Sequence, residues 1–273
     1  MSETSIASGP VRLAAEESGE GAPVVLLHGL TATRRYVVMG SSALQRSGHR
    51  VVAYDARGHG ASSPAPEPDA YEYEQLGADL EAVLDDRGIE RAVLAGASMG
   101  AHTSLWLALQ RPERVVGLVL ITPAFLEPDA DRERLARWDA LSKGLRDDGI
   151  DGFLEAQGEP RVPERWRETV TRVIRQRLSQ HEHLDAVADA LHVVPRSAPF
   201  GDVAELSAIA VPTTVVASED DIDPEHPRAV GEAYAEAISD ARLITDEPGR
   251  SPTAWQGSQL SKLIAEVVEQ AQT

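Results

Sequence analysis

At 273 residues with 42% apolar side chains, the chain is long enough for one large α/β domain with an insertion or for two small domains. Its 44 acidic and 26 basic side chains give a formal charge of −18, which argues against nucleic acid or an anionic membrane surface as a partner. Cysteine is absent, which excludes a disulfide framework, a thiolate metal site and a cysteine nucleophile; covalent chemistry would fall to Ser, His and carboxylates.

The first ten residues lack the basic start and apolar run of a secretory signal. No later apolar run is long enough to cross a bilayer, so a cytoplasmic location is expected. Short β-branched runs then alternate with amphipathic segments, the pattern of a mostly parallel central sheet flanked by helices. Strands are predicted at 24–28, 51–54, 92–95 and 117–122. Crossover helices fall at 71–87, where Leu76, Leu80, Val83 and Leu84 recur at helical spacing, and at 98–110. The alternation stops after Thr122 and resumes with strands at 213–217 and 241–245. The interval carries three helical patterns marked by Leu135, Trp138, Leu141 and Leu145, by Trp166, Val170, Ile174 and Leu178, and by Leu184, Val187 and Leu191. Residues 126–200 are therefore expected to form a helical cap inserted into a core made of 1–125 and 201–273. Trp138 and Trp166 are expected to pack over the active-site mouth. Six arginines between Arg161 and Arg177 could attract an anionic ligand, but Glu159, Glu164 and Glu168 interleave with them, and a solvated helix face is the reading preferred over that alternative.

Gly96-Ala97-Ser98-Met99-Gly100 fits the pattern G-x-S-x-G. The string alone is weak, but it follows a predicted strand and opens a predicted helix, the context in which a serine is held on a sharp turn above a sheet. Small residues at 96 and 100 permit that turn, and the helix N-terminus places a positive dipole end beside Ser98. Earlier, Val25-Leu26-Leu27-His28-Gly29-Leu30 is an apolar strand ending in His-Gly, and Asp55-Ala56-Arg57-Gly58-His59-Gly60-Ala61-Ser62 follows the next strand. The latter is not a dinucleotide fingerprint, because Ser63 and Pro64 stand where a third glycine and a helix should follow.

These segments resemble the α/β-hydrolase superfamily, and the resemblance covers almost the whole chain apart from the expected cap. It implies Ser98 as a nucleophile, with the N–H groups of Leu30 and Met99 forming an oxyanion hole. It also implies structural roles for His28, Asp55, Arg57 and His59. The family's acid-bearing turn G-x-x-D-x-x-x-P maps onto residues 217–224 with Ala217 replacing glycine; that selects Asp220, with Asp221 and Asp223 as close rivals.

The pattern breaks in the last loop. Asp246-Glu247-Pro248-Gly249-Arg250-Ser251-Pro252 resembles the family's P-G-x-G-H-S-P segment, with Arg250 at the histidine position and no histidine between Pro227 and Thr273. Arginine stays protonated and cannot serve as the base; a pairing of Arg250 with Asp220 is expected instead. Three readings follow. The base is relocated, with His226, His102 and His192 as candidates; or the catalyst is degenerate, with Ser98 and the oxyanion hole retained; or the scaffold binds a small ligand without catalysis. The expected function is hydrolysis of a carboxylic ester, thioester or lactone through an acyl-Ser98 intermediate, the alternative being a non-catalytic binder of a small apolar or ester-like ligand. Neither a metal nor an organic cofactor is expected, and a homodimer is left open.

Overall fold

The computed structural model describes residues 2–125, 132–221, 223, 225–247 and 250–273. Its centre is one eight-stranded sheet in the order β1-β2-β4-β3-β5-β6-β7-β8. The strands are β1 (Ser2–Ser8), β2 (Val11–Ser18), β3 (Ala22–Leu27), β4 (His49–Tyr54), β5 (Ala92–Ala97), β6 (Val115–Ile121), β7 (Thr213–Ala217) and β8 (Ala241–Thr245). From β4 to β8 all neighbours are parallel. β1 and β2 form an antiparallel hairpin across the two-residue turn Gly9-Pro10, and β2 pairs antiparallel with β4. Sequence patterning predicts no strand here: β1, rich in Ser and Thr, presents little apolar surface beyond Ile6, which is what a sheet edge tolerates.

Alternate residues of the inner strands feed two cores. Val25, Leu27, Val52, Leu94, Leu118 and Val215 face one side, with α2 (Tyr73–Asp86), α3 (Met99–Gln110) and α7 (Arg228–Ala237). Val24, Leu26, Val51, Val93, Val119 and Val216 face the other, against Leu44 of the short α1 (Ala43–Arg46) and Leu260, Ile264 and Val267 of α8 (Gly257–Ala271). Burial on both faces is why the strands read as continuous apolar runs rather than alternating ones.

Between β6 and β7 lie α4 (Arg132–Gln157), broken at Asp148 and Gly149, then α5 (Glu164–Leu178) and α6 (Leu184–Val193). The first six residues of the expected cap, 126–131, lie outside the described residues. The three helices bury Leu141, Leu145, Phe153, Ile174, Leu178, Val187 and Leu191 against one another. α6 joins them to the core: its other face, Ala186, Ala190 and Val193, packs with Tyr71, Tyr73, Leu76 and Met99, so the insertion sits against the residue that follows Ser98. Leu30 touches both clusters. Trp138 packs partly buried on the insertion's own core, whereas Trp166 meets Trp255 of the sheet domain edge to face, with ring centroids 5.7 Å apart. Among the described residues no helix is long and apolar enough to cross a membrane.

Candidate active site

Ser98 stands where β5 gives way to α3, with φ 49° and ψ −112°. An L-residue rarely adopts this conformation, and it persists only where the surroundings impose it. Here the Ser98 N–H donates to the Ile121 carbonyl (2.9 Å) and its own carbonyl accepts from the His102 N–H (3.1 Å). The flanking glycines permit the turn through backbone proximity: a Cβ at Gly96 would lie 2.2 Å from the Gly100 carbonyl oxygen, and one at Gly100 would lie 2.2 Å from that of Leu27. The loop after β3 runs directly against the serine, since a Cβ at Gly29 would be 3.4 Å from the Ser98 Cβ. Among the described residues, the N–H groups of Leu30 and Met99 have no hydrogen-bond acceptor. Both are therefore available beside Ser98, that of Met99 at the positive end of α3.

His226 brings its Nε2 to 2.9 Å from the Ser98 Oγ, across 128 positions of sequence, and its Nδ1 to 2.8 Å from Asp223 Oδ1, only three positions away. The loop after β7 turns tightly to do this: the Asp223 N–H donates to the Glu219 carbonyl (3.0 Å) and the His226 N–H to the Asp223 carbonyl (3.1 Å). Burial opposes protonation of His226, but the Asp223 charge and hydrogen bond outweigh it, so the pKa is raised above the ordinary 6.5. With Nδ1–H donating to Asp223, the Nε2 lone pair faces the serine hydroxyl. Glu225 of the same loop pairs with Arg137 of α4, tying the loop to the insertion.

Two expectations require correction. Asp220 does not face an imidazole; it accepts a hydrogen bond from the Arg228 N–H (2.7 Å) at the start of α7. That helix begins after Pro227, which has no side-chain oxygen to cap it, and Asp220 supplies the acceptor. Arg250 does not pair with Asp220 either. Its side chain is 73% exposed and pairs with Glu247 at 2.9 Å. The loop after β8 is anchored by the buried Asp246, which accepts from the Thr253 N–H (2.7 Å); its Pro248 and Gly249 lie outside the described residues.

Four other histidines, His28, His102, His192 and His181, are engaged in hydrogen bonds away from Ser98. His28 accepts from the Ala56 N–H at Nε2 (2.9 Å) and donates from Nδ1 to the Gly29 carbonyl (2.8 Å), which orders the loop beside Ser98; burial lowers its pKa to about 4. His102 accepts from the Ala124 N–H (3.2 Å) and shares a hydrogen bond with the Tyr73 hydroxyl (2.9 Å), and burial lowers its pKa to about 3. Its nitrogens are thus turned away from proton transfer to Ser98. His192 bonds Asp139 within the insertion (2.7 Å). His181 accepts from the Gly60 N–H (2.8 Å) and donates to the Thr31 carbonyl (3.0 Å). In the loop after β4, the Asp55 carboxylate takes the N–H groups of Arg34 (2.8 Å) and Ala61 (3.1 Å) together with the Arg34 guanidinium, while Arg57 forks onto Asp79 at 2.7 and 2.8 Å. Among the described residues no cluster of His, Asp or Glu could hold a metal ion.

The arginines of α5 are not alike. Arg167 and Arg175 are exposed and pair with Glu159 and Asp151, as a solvated face would. Arg177 instead turns inward and donates from Nη2 to the Thr31 Oγ1 (3.2 Å), one residue beyond Leu30. Its sequence signal is position: seven residues after Val170 and three after Ile174, it falls on the apolar stripe of the helix.

Residues 22–154 match the family model described as alpha/beta hydrolase fold. The protein called "Putative carbamate hydrolase RutD" from Variovorax paradoxus is 32% identical over 213 residues, covering 78% of this chain and 79% of that one. Among solved structures, a thermophilic esterase from Thermogutta terrifontis with malate bound superposes with a TM-score of 0.80 at 26% identity over the full length of both chains. The enol-lactonase from Burkholderia xenovorans shares the fold, with a TM-score of 0.79 at 24% identity over 99% of this chain and 100% of that one. The names of these relatives support a hydrolase, and the matched segment with the full-length superpositions shows that the chain belongs to the α/β-hydrolase fold family.

Proposed function

We propose that this protein is a serine hydrolase that cleaves a carboxylic ester, thioester or lactone through an acyl-Ser98 intermediate, with His226 as its general base and Asp223 as the carboxylate that orients the imidazole. The observation that carries the reading is the hydrogen-bonded series Asp223 Oδ1, His226 Nδ1, His226 Nε2 and Ser98 Oγ, at 2.8 and 2.9 Å. In the first half-reaction His226 takes the hydroxyl proton as Ser98 Oγ bonds to the substrate carbonyl carbon. Asp223 stabilises the imidazolium that results. The negative oxygen that develops is met by the N–H groups of Leu30 and Met99, the donors without another acceptor. His226 then returns the proton to the leaving oxygen or sulfur as its bond to carbon breaks. Water, deprotonated by the same imidazole, hydrolyses the acyl-serine and restores the enzyme.

In this reading the insertion is a cap, held over the elbow by the packing of α6 on Met99 and by the Glu225–Arg137 pair. The substrate is a small molecule, and ester hydrolysis of this kind uses no cofactor. The named activities of the relatives, a carbamate hydrolase, an esterase and an enol-lactonase, all attack a carbonyl bearing a heteroatom leaving group. The test is a fluorophosphonate probe read by mass spectrometry: a stable adduct on Ser98, lost in His226→Gln, is expected. A folded wild-type protein that forms no adduct would overturn the proposal and favour ligand binding without catalysis.

A further inference from the structure

We infer that Arg177 is a carboxylate anchor, and that the substrate of the Ser98 site carries a second, anionic group besides its scissile carbonyl; this rests on the serine-hydrolase reading above. Three observations on the side chain converge. Its Nε is buried without a hydrogen-bond partner, and Nη2 finds only the neutral Thr31 hydroxyl at 3.2 Å. Among the described residues it forms no ion pair, whereas the other inward-facing arginines are saturated: Arg57 grips Asp79, and Arg34 grips Asp55 and Glu16. A half-buried guanidinium whose Nε is sealed from water without an acceptor is costly to maintain unless a bound anion offsets its charge.

Its location makes the anion part of the reaction. Thr31 follows Leu30 in the loop that lies against Ser98, and the charge of Arg177 reaches Asp223 and His226, where it opposes protonation of the imidazole. Burial lowers the pKa values of His28 and His181 nearby, against the hydrogen bonds these imidazoles make to the Gly29 and Thr31 carbonyls, so neither is favoured as a rival cation. The guanidinium fork matches a carboxylate in two parallel hydrogen bonds, for which the terminal nitrogens supply the donors. The net charge of −18 repels anions at long range, so a preference for an anionic ester must come from this local contact rather than from steering.

The experiment compares mono-4-nitrophenyl glutarate with 4-nitrophenyl pentanoate, activated esters that differ in a terminal carboxylate. Calorimetric titration of glutarate into Ser98→Ala protein runs in parallel. Wild-type enzyme is expected to favour the glutarate ester in kcat/KM by about tenfold or more, the ordinary worth of a hydrogen bond to a charged group. Arg177→Gln should erase that preference through KM, lowering kcat/KM on the glutarate ester about tenfold or more beyond any loss on the neutral ester, and Arg177→Lys should restore part of it. Glutarate binding should vanish when Arg177→Gln is added to Ser98→Ala. Equal losses on both esters would mean that Arg177 only docks α5 onto the Thr31 loop, and would overturn the inference. Absence of glutarate binding to Ser98→Ala protein would overturn it too. Glutarate binding that depends on Arg177 without turnover of either ester would instead defeat the hydrolase reading and leave the anion site standing.

Discussion

The loops that follow β7 and β8 leave the same edge of the sheet, side by side, yet they are built in opposite ways. The loop after β7 folds back on itself within a few residues and presents Asp223 and His226 as a hydrogen-bonded pair to Ser98. The loop after β8, where the family resemblance expects the histidine, offers an exposed Arg250 paired with Glu247 and closes on the buried Asp246. Under the proposed mechanism, what a catalytic imidazole must satisfy is a position in space. An adjacent loop can meet it if its own backbone supplies the turn.

That contrast is most directly broken at the proposed base. Ser98→Ala and His226→Gln should each lower kcat on an activated ester by roughly 10⁵ to 10⁶, and Asp223→Asn by about 10⁴, because the imidazole then takes the wrong tautomer. Full activity in His226→Gln would mean that the base lies elsewhere.

A second measurement sharpens the comparison through pH. The base works only when neutral, and the Asp223 charge raises the His226 pKa, so kcat/KM should fall as pH drops through a value above 6.5. Weakening the carboxylate in Asp223→Asn should move that limb to lower pH in whatever activity remains. For stability the buried histidines act with the opposite sign. His28 and His102 have lowered pKa values, so the stability they add is present above about pH 6.5 and is lost as pH falls toward 4 and then 3. Unfolding free energies from urea titrations between pH 7 and pH 4 should therefore decline as pH falls, by up to about 1.4 kcal/mol per pH unit for each such group.

Next in size is the elbow. Gly100→Ala forces a Cβ onto the Leu27 carbonyl, and a loss of about 1 to 3 kcal/mol in stability is expected, with activity falling alongside it. Smaller again are the residues that the family pattern favours and the geometry does not. Asp220→Ala should cost about 0.5 to 2 kcal/mol through the start of α7, leaving kcat within about threefold. Arg250→His should change kcat less than about twofold. A large gain from Arg250→His would restore the β8 loop as the natural home of the base and undo the contrast.

Sequence patterning captures the parallel strands because burial on both faces writes them as unbroken β-branched runs, and it captures the Ser98 turn because only small residues fit at 96 and 100. The carboxylate proposed to orient the imidazole is harder to read. Three aspartates stand within four residues of one another, and their roles depend on where the loop turns and on the helix start that takes Asp220. Arg177 is missed for another reason: composition places it among solvated arginines, and only its helical phase separates it from Arg175. β1 escapes because an edge strand needs little apolar surface.

The short spacing of Asp223 and His226 also bears on how the site is assembled as the chain folds. Gathering residues from distant parts of a chain carries a loop-closure entropy that grows with the logarithm of the separation, roughly 0.6 kcal/mol for each doubling. A carboxylate and an imidazole on separate loops would each have to be brought to the serine across a long stretch of chain. Here the imidazole meets its carboxylate three residues away, and a single long closure, from Ser98 to His226 over 128 positions, completes the set. The pair can thus form while the sheet is still incomplete, and it should persist in partly unfolded states after the serine has been lost from it.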